Sequence, residues 1–359
     1  MTQQTEVDGI ACMLMRGGSS KGAYFLAEDL PSDPDERNDL LLRIMGSPDD
    51  REIDGIGGGH PLTSKVAVVS RSGDDRADVD YLFLQVVPDR PVVSDAQTCG
   101  NLLAGVGPFA IERGLVPITG DTTTVRIRML NPTVAYADAV VATMQGRVRY
   151  DGDTVMSGTP FPAAPVQIAF PGEGTPIFPT GRPTDQLTGL SVSCVDGGMP
   201  VVLVRAADLG VAGDEPPEVL ESDQVLRSKV EQLRLAAGPA MGLGDVTDAT
   251  VPKISLISPA RHGGTISTRT FIPHRVHAAI GVLGAVSVAA AVRADGTVAD
   301  VPSDGNDLVR IEHPTGSFDV YLELDGEADR TSVRRSAVVR TARKLFDGRV
   351  WPRSGKALP

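Results

Sequence analysis

Aromatic side chains are scarce in this chain. Phe, Trp and Tyr make up 4% of its 359 residues, which argues against the stacking platforms that hold single-stranded nucleic acids. Positive charge is also short: 34 Lys and Arg against 46 Asp and Glu give a net charge of -12 and an isoelectric point near 4.9. That balance argues against a general binder of nucleic acid or of anionic membranes. It leaves room for a small anionic substrate, provided Lys, Arg or helix N-termini gather locally against the mean field. Cysteine is nearly absent. Cys12, Cys99 and Cys194 are widely spaced, odd in number and free of any CxxC or Cys/His ligand spacing, so neither a disulfide framework nor a structural zinc site is expected. Long apolar runs are missing too: the longest, Ala278 to Val292, has 15 residues, short of a membrane span. The opening MTQQTEVDGI is polar and acidic, unlike a signal peptide. The expectation is a cytoplasmic protein with no nucleic-acid and no membrane partner.

What is present is globular in composition, with 41% hydrophobic and 22% charged residues, 39 Gly and 27 Pro. The length exceeds one ordinary core, so two domains are expected. The β-branched runs KVAVVSRS, VDYLFLQVV, TTTVRIRML and AVVATMQGRVRY, bounded by Gly, Asp, Asn or Pro, read as strands. Among them NLLAGVGPFAIERGL places Leu102, Leu103, Val106, Phe109 and Ala110 at helical spacing and closes on Gly114; Pro108 inside it predicts a bend. Seven prolines between 160 and 183 predict an extended crossover rather than a packed element. Further on, VSCVDGGMPVVLVRAADL reads as two strands and a turn. PEVLESDQVLRSKVEQLRLAAG reads as a surface helix with Val225, Leu226, Val230 and Leu233 inward. HRVHAAIGVLGAVSVAAAVRADG is apolar on nearly every face, the mark of a helix buried on all sides. Each half of the chain thus carries one unusually apolar helix, 101–113 and 274–292, among many strands. This predicts two similar α/β units, each a sheet wrapped around a central helix, with the site where the helix N-termini, favourable to anions, face each other.

Three stretches carry candidate chemistry. MRGGSSKG, residues 15–22, fails the phosphate-loop pattern because the Lys precedes the last Gly. Its GGSS resembles an amidase serine loop, but that chemistry needs a partner lysine and further serines at matched places. It is either a plain strand-to-strand turn or a carboxylate cradle of free N–H groups, two hydroxyls and an ammonium. IDGIGGGHPLTSKVAVV, residues 53–69, sets Thr63, Ser64 and Lys65 at the mouth of an apolar strand. Lys65 is either a snorkelling surface lysine or, once neutral, a base. TCGNLLAGVG puts Cys99 just before a helix, where the N-terminus favours a thiolate; Cys12 and Cys194 read as inert buried thiols. His60, His262, His274, His277 and His313 are scattered, and no metal site is expected from them.

Together these motifs resemble the PrpF-like isomerases, as do IPHRVHAAIGVLGA, EHPTGSF and VVRTARKLFDGRVW further on. The resemblance spans nearly the whole chain. Within the family, GSPDDREIDGIGGGHPLTSKVAVVSRS and RADVDYLF look most like the 4-oxalomesaconate tautomerases and Δ-isomerases; the other branch is the 2-methylaconitate cis-trans isomerases. The resemblance implies the diaminopimelate-epimerase-like α+β fold, with two similar domains. Residues 1–183 are expected to form the first, with the C-terminal strand 331–359 a candidate to complete it, and residues 184–330 the second. It also implies proton transfer without a cofactor on a small di- or tricarboxylate, in breakdown of aromatic acids such as gallate or protocatechuate. Lys65 and Cys99 fall on the family's reacting lysine and cysteine. Ser19, Ser20, Lys21, Thr63, Ser64, Gly100 and Asn101 fall on its anion-binding loops. His274 and Arg275, at the start of the second apolar helix, are added as substrate-binding candidates. Ser19 stands where Thr is expected, which keeps the hydroxyl. The epimerases that name the fold use a thiol from each half, and IPHRVHAA has none, which argues against a two-thiol amino-acid epimerase. A homodimer is the expected assembly.

The chemistry requires these groups. Shifting a double bond beside a carbonyl, or exchanging keto for enol, removes a proton from carbon and returns one elsewhere, through a dienolate. That calls for a base, an acid and fixed positive dipoles where charge develops. A non-catalytic organic-acid binder on the same fold is the alternative from another class.

Overall fold

The computed structural model describes residues 9–357 apart from 173, 248, 300 and 302–306; the reading of the extreme N-terminus as polar concerns residues 1–8 and lies outside them. The chain divides into two compact units, residues 1–169 with 339–359, and residues 170–338.

In the first unit a glycine turn folds β1 (Ile10–Gly17) onto β2 (Ser20–Leu26). The N-cap of α1 (Pro34–Met45) is Asp33, whose carboxylate accepts the amides of Asp35 and Glu36, a standard satisfaction of orphan N–H groups. β3 (Lys65–Arg71) runs parallel to β2 and antiparallel to β4 (Val79–Val86). The short β5 (Val93–Ser94) leads to α2 (Gly100–Glu112), and β6 (Thr122–Met129), β7 (Ala135–Met144), β8 (Arg147–Val148) and β9 (Pro165–Pro171) follow. The helix α2 is buried along Leu102–Ile111. Burying Leu102, Leu103, Val106, Phe109 and Ile111 contributes roughly 1.5–3 kcal/mol each. That outweighs the cost of about 3 kcal/mol for Pro108, and the helix runs through it.

The second unit repeats the plan. β10 (Asp185–Leu187), β11 (Leu190–Asp196), β12 (Pro200–Arg205), β13 (Lys253–Ser258), β14 (Ile266–Phe271), β15 (Leu308–His313) and β16 (Gly316–Asp325) pair in that order. The short α3 (Ala206–Leu209) and α4 (Pro217–Ser222) precede α5 (Gln224–Ala240), which covers one side of the sheet through Leu226, Val230 and Leu233. The apolar helix is α6 (Val282–Arg293), buried from Ala285 to Val292. Its one polar core residue, Ser287, donates to the Met199 carbonyl at 2.6 Å and accepts the Gly197 amide at 3.0 Å. The last strand, β17 (Ser332–Val350), pairs in its first half with β16 and in its second half with β1.

Several sequence expectations need correction. The proline-rich segment is not a free crossover. Residues 165–171 form β9 on β7, and beyond it the Ile177 amide bonds the Thr331 carbonyl at 2.8 Å while its own carbonyl takes the Asp196 amide. The boundary between units accordingly falls at 169/170, ahead of residue 183. The second apolar helix does not begin at 274. The Ile272 amide bonds the Arg275 carbonyl, and His277 bonds Thr270, each at 2.8 Å. The turn closed at Ile272 and the bond to Thr270 of β14 hold this backbone out of the helix, whose N-cap is Gly281. Val225 is 67% exposed rather than inward, because it lies about 100° around α5 from Leu226, off the stripe of Leu226, Val230 and Leu233 that faces the core.

Candidate active site

Lys65 opens β3, and its side chain is buried, with 6% exposure. The ammonium donates to Gln85 Oε1 at 2.7 Å and sits 5.0 Å from the centre of the Phe83 ring. Lys65 and Gln85 are register partners across the β3–β4 ladder, so their side chains share a face. The amide of Gln85 is locked by donation from Nε2 to the carbonyls of Pro61, Ser64 and Val86, at 3.0–3.1 Å. A carboxylate in its place would set an anion against three carbonyl oxygens, which explains why a neutral amide holds the lysine. Alternation along β4 puts Tyr81 on the same face, and its hydroxyl lies 3.4 Å from the Cys99 carbonyl. Lys65 and the N-terminus of α2 therefore occupy one face of this sheet.

Cys99 is the N-cap of α2. Its carbonyl takes the Leu103 amide at 3.0 Å, its side chain makes no cap bond, and it is half-buried. A thiol here sits beside the unsatisfied amides of the first helical turn. The nearby phenols of Tyr24 and Tyr81 are pushed well above their ordinary range, first by burial and second by the Cys99 charge. The other two thiols differ: burial pushes both Cys12 and Cys194 up to about 12. Thr98 Oγ1, next to Cys99, and Ser20 Oγ are buried without a hydrogen-bond partner among the described residues.

The GGSSK turn docks on this helix end. Asn101 Oδ1 accepts the Ser19 amide at 3.4 Å. Gly18 adopts φ +53°, and a Cβ there would collide with Asn101 Oδ1. The Gly-Gly pair is thus required by a left-handed turn pressed against a helix. Behind it, Arg16 donates to the carbonyls of Gly18 and Thr341 at 2.7 and 2.9 Å. The Lys21 amide bonds Leu62 at 2.9 Å, tying the turn to the loop before Lys65. A Cβ on Gly58 would strike Thr63 Oγ1 and lie 3.4 Å from Lys21 Nζ, so Lys21 and Thr63 both reach the Gly58 backbone.

Asn131 joins the strand beneath Lys65 to the loop carrying Cys99. It is buried, accepts the Phe83 amide at 3.0 Å, and donates to the carbonyls of Phe83, Asp95 and Gln97 at 2.8–2.9 Å. Neither Asn131 nor Gln85 was singled out in the sequence; one reads as a turn residue before proline, the other as the frayed end of a strand. Ser64, expected to hold substrate, is turned inward instead: it is fully buried and its hydroxyl donates to Glu52.

Ser19, Ser20, Lys21, Thr63, Gly100 and Asn101 belong to the first unit with Lys65 and Cys99. His274 and Arg275 belong to the second and do not sit at a helix N-terminus, since α6 begins seven positions or more beyond them at Val282. His274 Nδ1 lies 3.7 Å from Glu231 of α5 and lines an open pocket of about 380 Å³ with Arg227 and Phe271. Among the described residues, no group of three or more His, Cys, Asp or Glu could hold a metal ion, and no helix is long and apolar enough to cross a membrane.

Comparison with known proteins adds to this geometry. The family model described as PrpF protein matches residues 8–352. The chain is 51% identical over 353 residues to a (4E)-oxalomesaconate Δ-isomerase of Novosphingobium sp. strain KA1, covering 96% of this chain and 98% of that one. It is 52% identical over 347 residues to a 4-oxalomesaconate tautomerase of Pseudomonas putida, covering 94% and 95%. The crystal structure of a methylitaconate Δ-isomerase superposes with a TM-score of 0.85 at 30% identity, covering 94% of each chain.

Proposed function

Because this chain belongs to the PrpF family and is an isomerase, we propose that it isomerises 4-oxalomesaconate by proton transfer, with Lys65 and Cys99 as the reacting pair. The observation that carries the reading is the shared face: a buried lysine fixed by Gln85, and a half-buried cysteine at the helix end that Tyr81 ties to the same sheet. Half-identical relatives named for this substrate support the choice among organic acids.

In the forward direction Lys65, when neutral, takes a proton from a carbon beside the carbonyl. The electron pair of that C–H bond moves into the conjugated system, giving a dienolate. The Cys99 thiol returns a proton at the far carbon, which moves the double bond, or at oxygen, which yields the enol. The helix N-terminus favours both the thiolate left behind and the dienolate. Ser19, Ser20, Lys21, Thr63, Gly100 and Asn101 hold the carboxylates, drawing on the docked turn and the first amides of α2. The reaction would serve breakdown of gallate or protocatechuate.

The test is proton NMR of 4-oxalomesaconate with the enzyme in D2O. Deuterium entering one carbon with a new vinyl signal marks the allylic shift; faster keto–enol exchange without bond migration marks the tautomerase. Silence with this acid but turnover of 2-methylaconitate would move the chain to the other branch. Lys65→Met and Cys99→Ser should each abolish the signal, and an unchanged rate in both would sink the assigned pair.

A further inference from the structure

Glu52 combines two features that a folded protein ordinarily avoids. Its backbone adopts φ +47°, a left-handed conformation rarely taken by a residue with a long side chain. Its carboxylate is buried, with 1% residue exposure, and Oε1 has no hydrogen-bond partner among the described residues. A buried polar atom left unpaired calls for a reason.

The reason lies in what the other oxygen does. Glu52 Oε2 accepts the Gly59 amide at 2.8 Å and the Ser64 hydroxyl. One oxygen therefore closes the loop between Glu52 and Ser64 upon itself, immediately before Lys65. Gly57 is pressed against this carboxylate so closely that a Cβ would overlap it, which accounts for a glycine at that point of the GIGGGHP run. From Ser64 the chain of bonds continues. Its carbonyl takes Gln85 Nε2 at 3.0 Å and the Val86 amide at 3.2 Å, and Gln85 Oε1 takes the Lys65 ammonium at 2.7 Å.

We propose that Glu52 is a positioning residue for Lys65: its carboxylate clamps Ser64 and thereby holds Gln85 and the lysine in register. The inference rests on the reading of Lys65 as the reacting base. Glu52 touches no substrate in this scheme. Its charge strengthens both bonds it accepts, and the unpaired Oε1 is the cost of concentrating them on one oxygen.

The experiment compares Glu52→Ala, Glu52→Gln and Ser64→Ala by turnover and by Lys65 acylation, read by peptide mass spectrometry with acetic anhydride as the probe. Loss of the clamp should lower kcat about 10- to 100-fold in Glu52→Ala, the scale of a small misplacement of a reacting group, with KM within about 3-fold. Glu52→Gln keeps an oxygen for both donors but no charge and should lose roughly 3- to 10-fold. Ser64→Ala should follow Glu52→Ala, and the double variant should be no worse than the poorer single, since both break one chain. Lys65 alone should be acylated faster in the variants, other lysines keeping their rates. Wild-type kcat and Lys65 labelling in Glu52→Ala, additive losses in the double variant, or a rise across all lysines would each overturn the proposal. If Glu52→Ala does not fold, Glu52→Gln and Ser64→Ala decide. If wild-type protein turns over neither acid, the substrate reading fails alone, and Lys65 labelling still decides the clamp.

Discussion

Gln85 holds the ammonium of Lys65 at 2.7 Å, and three backbone carbonyls hold Gln85. The lysine thus points where the sheet points, because an amide locked at Nε2 has one direction left for its oxygen. Gln85→Leu retains much of the volume and removes the acceptor. The expected result is a kcat lowered about 10- to 100-fold, since general base catalysis depends on placement, with KM nearly unchanged. Steady-state kinetics on the folded variant checks this. A loss confined to KM would mean that Gln85 serves binding and does not hold the base.

How far the sequence discloses this arrangement depends on whether the signal is local. The strands and α2 follow from periodicity, and Lys65 stands out because an ammonium at the mouth of an apolar strand is conspicuous. Gln85 has no such contrast: its meaning comes from the β3–β4 register, which pairs it with Lys65. Glu52 sits in the acidic stretch DDREIDG and resembles any solvated carboxylate until the glycine loop folds over it. Ser64 lies beside Thr63 and Lys65 in a polar triplet, and nothing in the triplet says which side chain turns inward. The start of α6 is illegible for the same reason. Val276, Ala278, Ala279 and Ile280 continue the apolar run of the helix proper backwards, and the backbone bonds at Ile272 and Thr270 that hold this stretch out of the helix leave no mark in the sequence. The diaminopimelate-epimerase-like plan of a sheet around a helix, in contrast, is legible twice, because an all-apolar helix needs a sheet to bury it.

The C-terminal end of α2 provides a pH-dependent contact. Arg113 forms a two-pronged ion pair with Asp347 of β17, at 2.7 and 3.1 Å. The hydrogen bonds from Arg113 hold the Asp347 carboxyl below the ordinary carboxylate value. A carboxyl depressed in the folded state stabilises it above the unfolded value, near pH 4, and that contribution fades as pH falls through the folded value. Asp347→Asn should therefore cost about 1 kcal/mol at pH 7, as for a partly exposed pair, and less at pH 2. Urea unfolding at the two pH values measures the difference. Equal costs at both would remove the ion pair from the account.

Cys99 should be singled out among the three thiols. Cys12 and Cys194 are fully buried and pushed up to about 12, so near neutral pH they carry almost no thiolate and admit no reagent. Cys99 is half-buried at a helix N-cap. Iodoacetamide at pH 7.5 should modify Cys99 at least about 100-fold faster than the others, since burial denies those two both thiolate and access. Activity should fall in step with that one adduct, and substrate should slow both. Peptide mapping of the labelled protein gives the site. Labelling of Cys12 or Cys194 in folded protein at a comparable rate would contradict the burial described here.

Asn131 links the two reacting groups, and its removal should separate them in a way that stability alone does not report. One amide satisfies the Phe83 backbone in both directions and closes the carbonyls of Asp95 and Gln97. Asn131→Ala leaves buried backbone groups unpaired, and the expected cost is about 1–3 kcal/mol, the range for leaving a buried donor or acceptor unsatisfied. The loop through Asp95 and Gln97 ends at Cys99, so releasing it should also loosen the N-cap. Iodoacetamide should then react with Cys99 several-fold faster, while kcat falls because Lys65 and the thiol no longer hold one geometry. Lys65 keeps its bond to Gln85 in this variant, so its acylation rate should stay near wild type. That asymmetry separates Asn131 from Glu52, which acts on the lysine and leaves the thiol where it is. A variant in which both labels change together would mean the sheet itself has opened, and the two anchors would have to be treated as one.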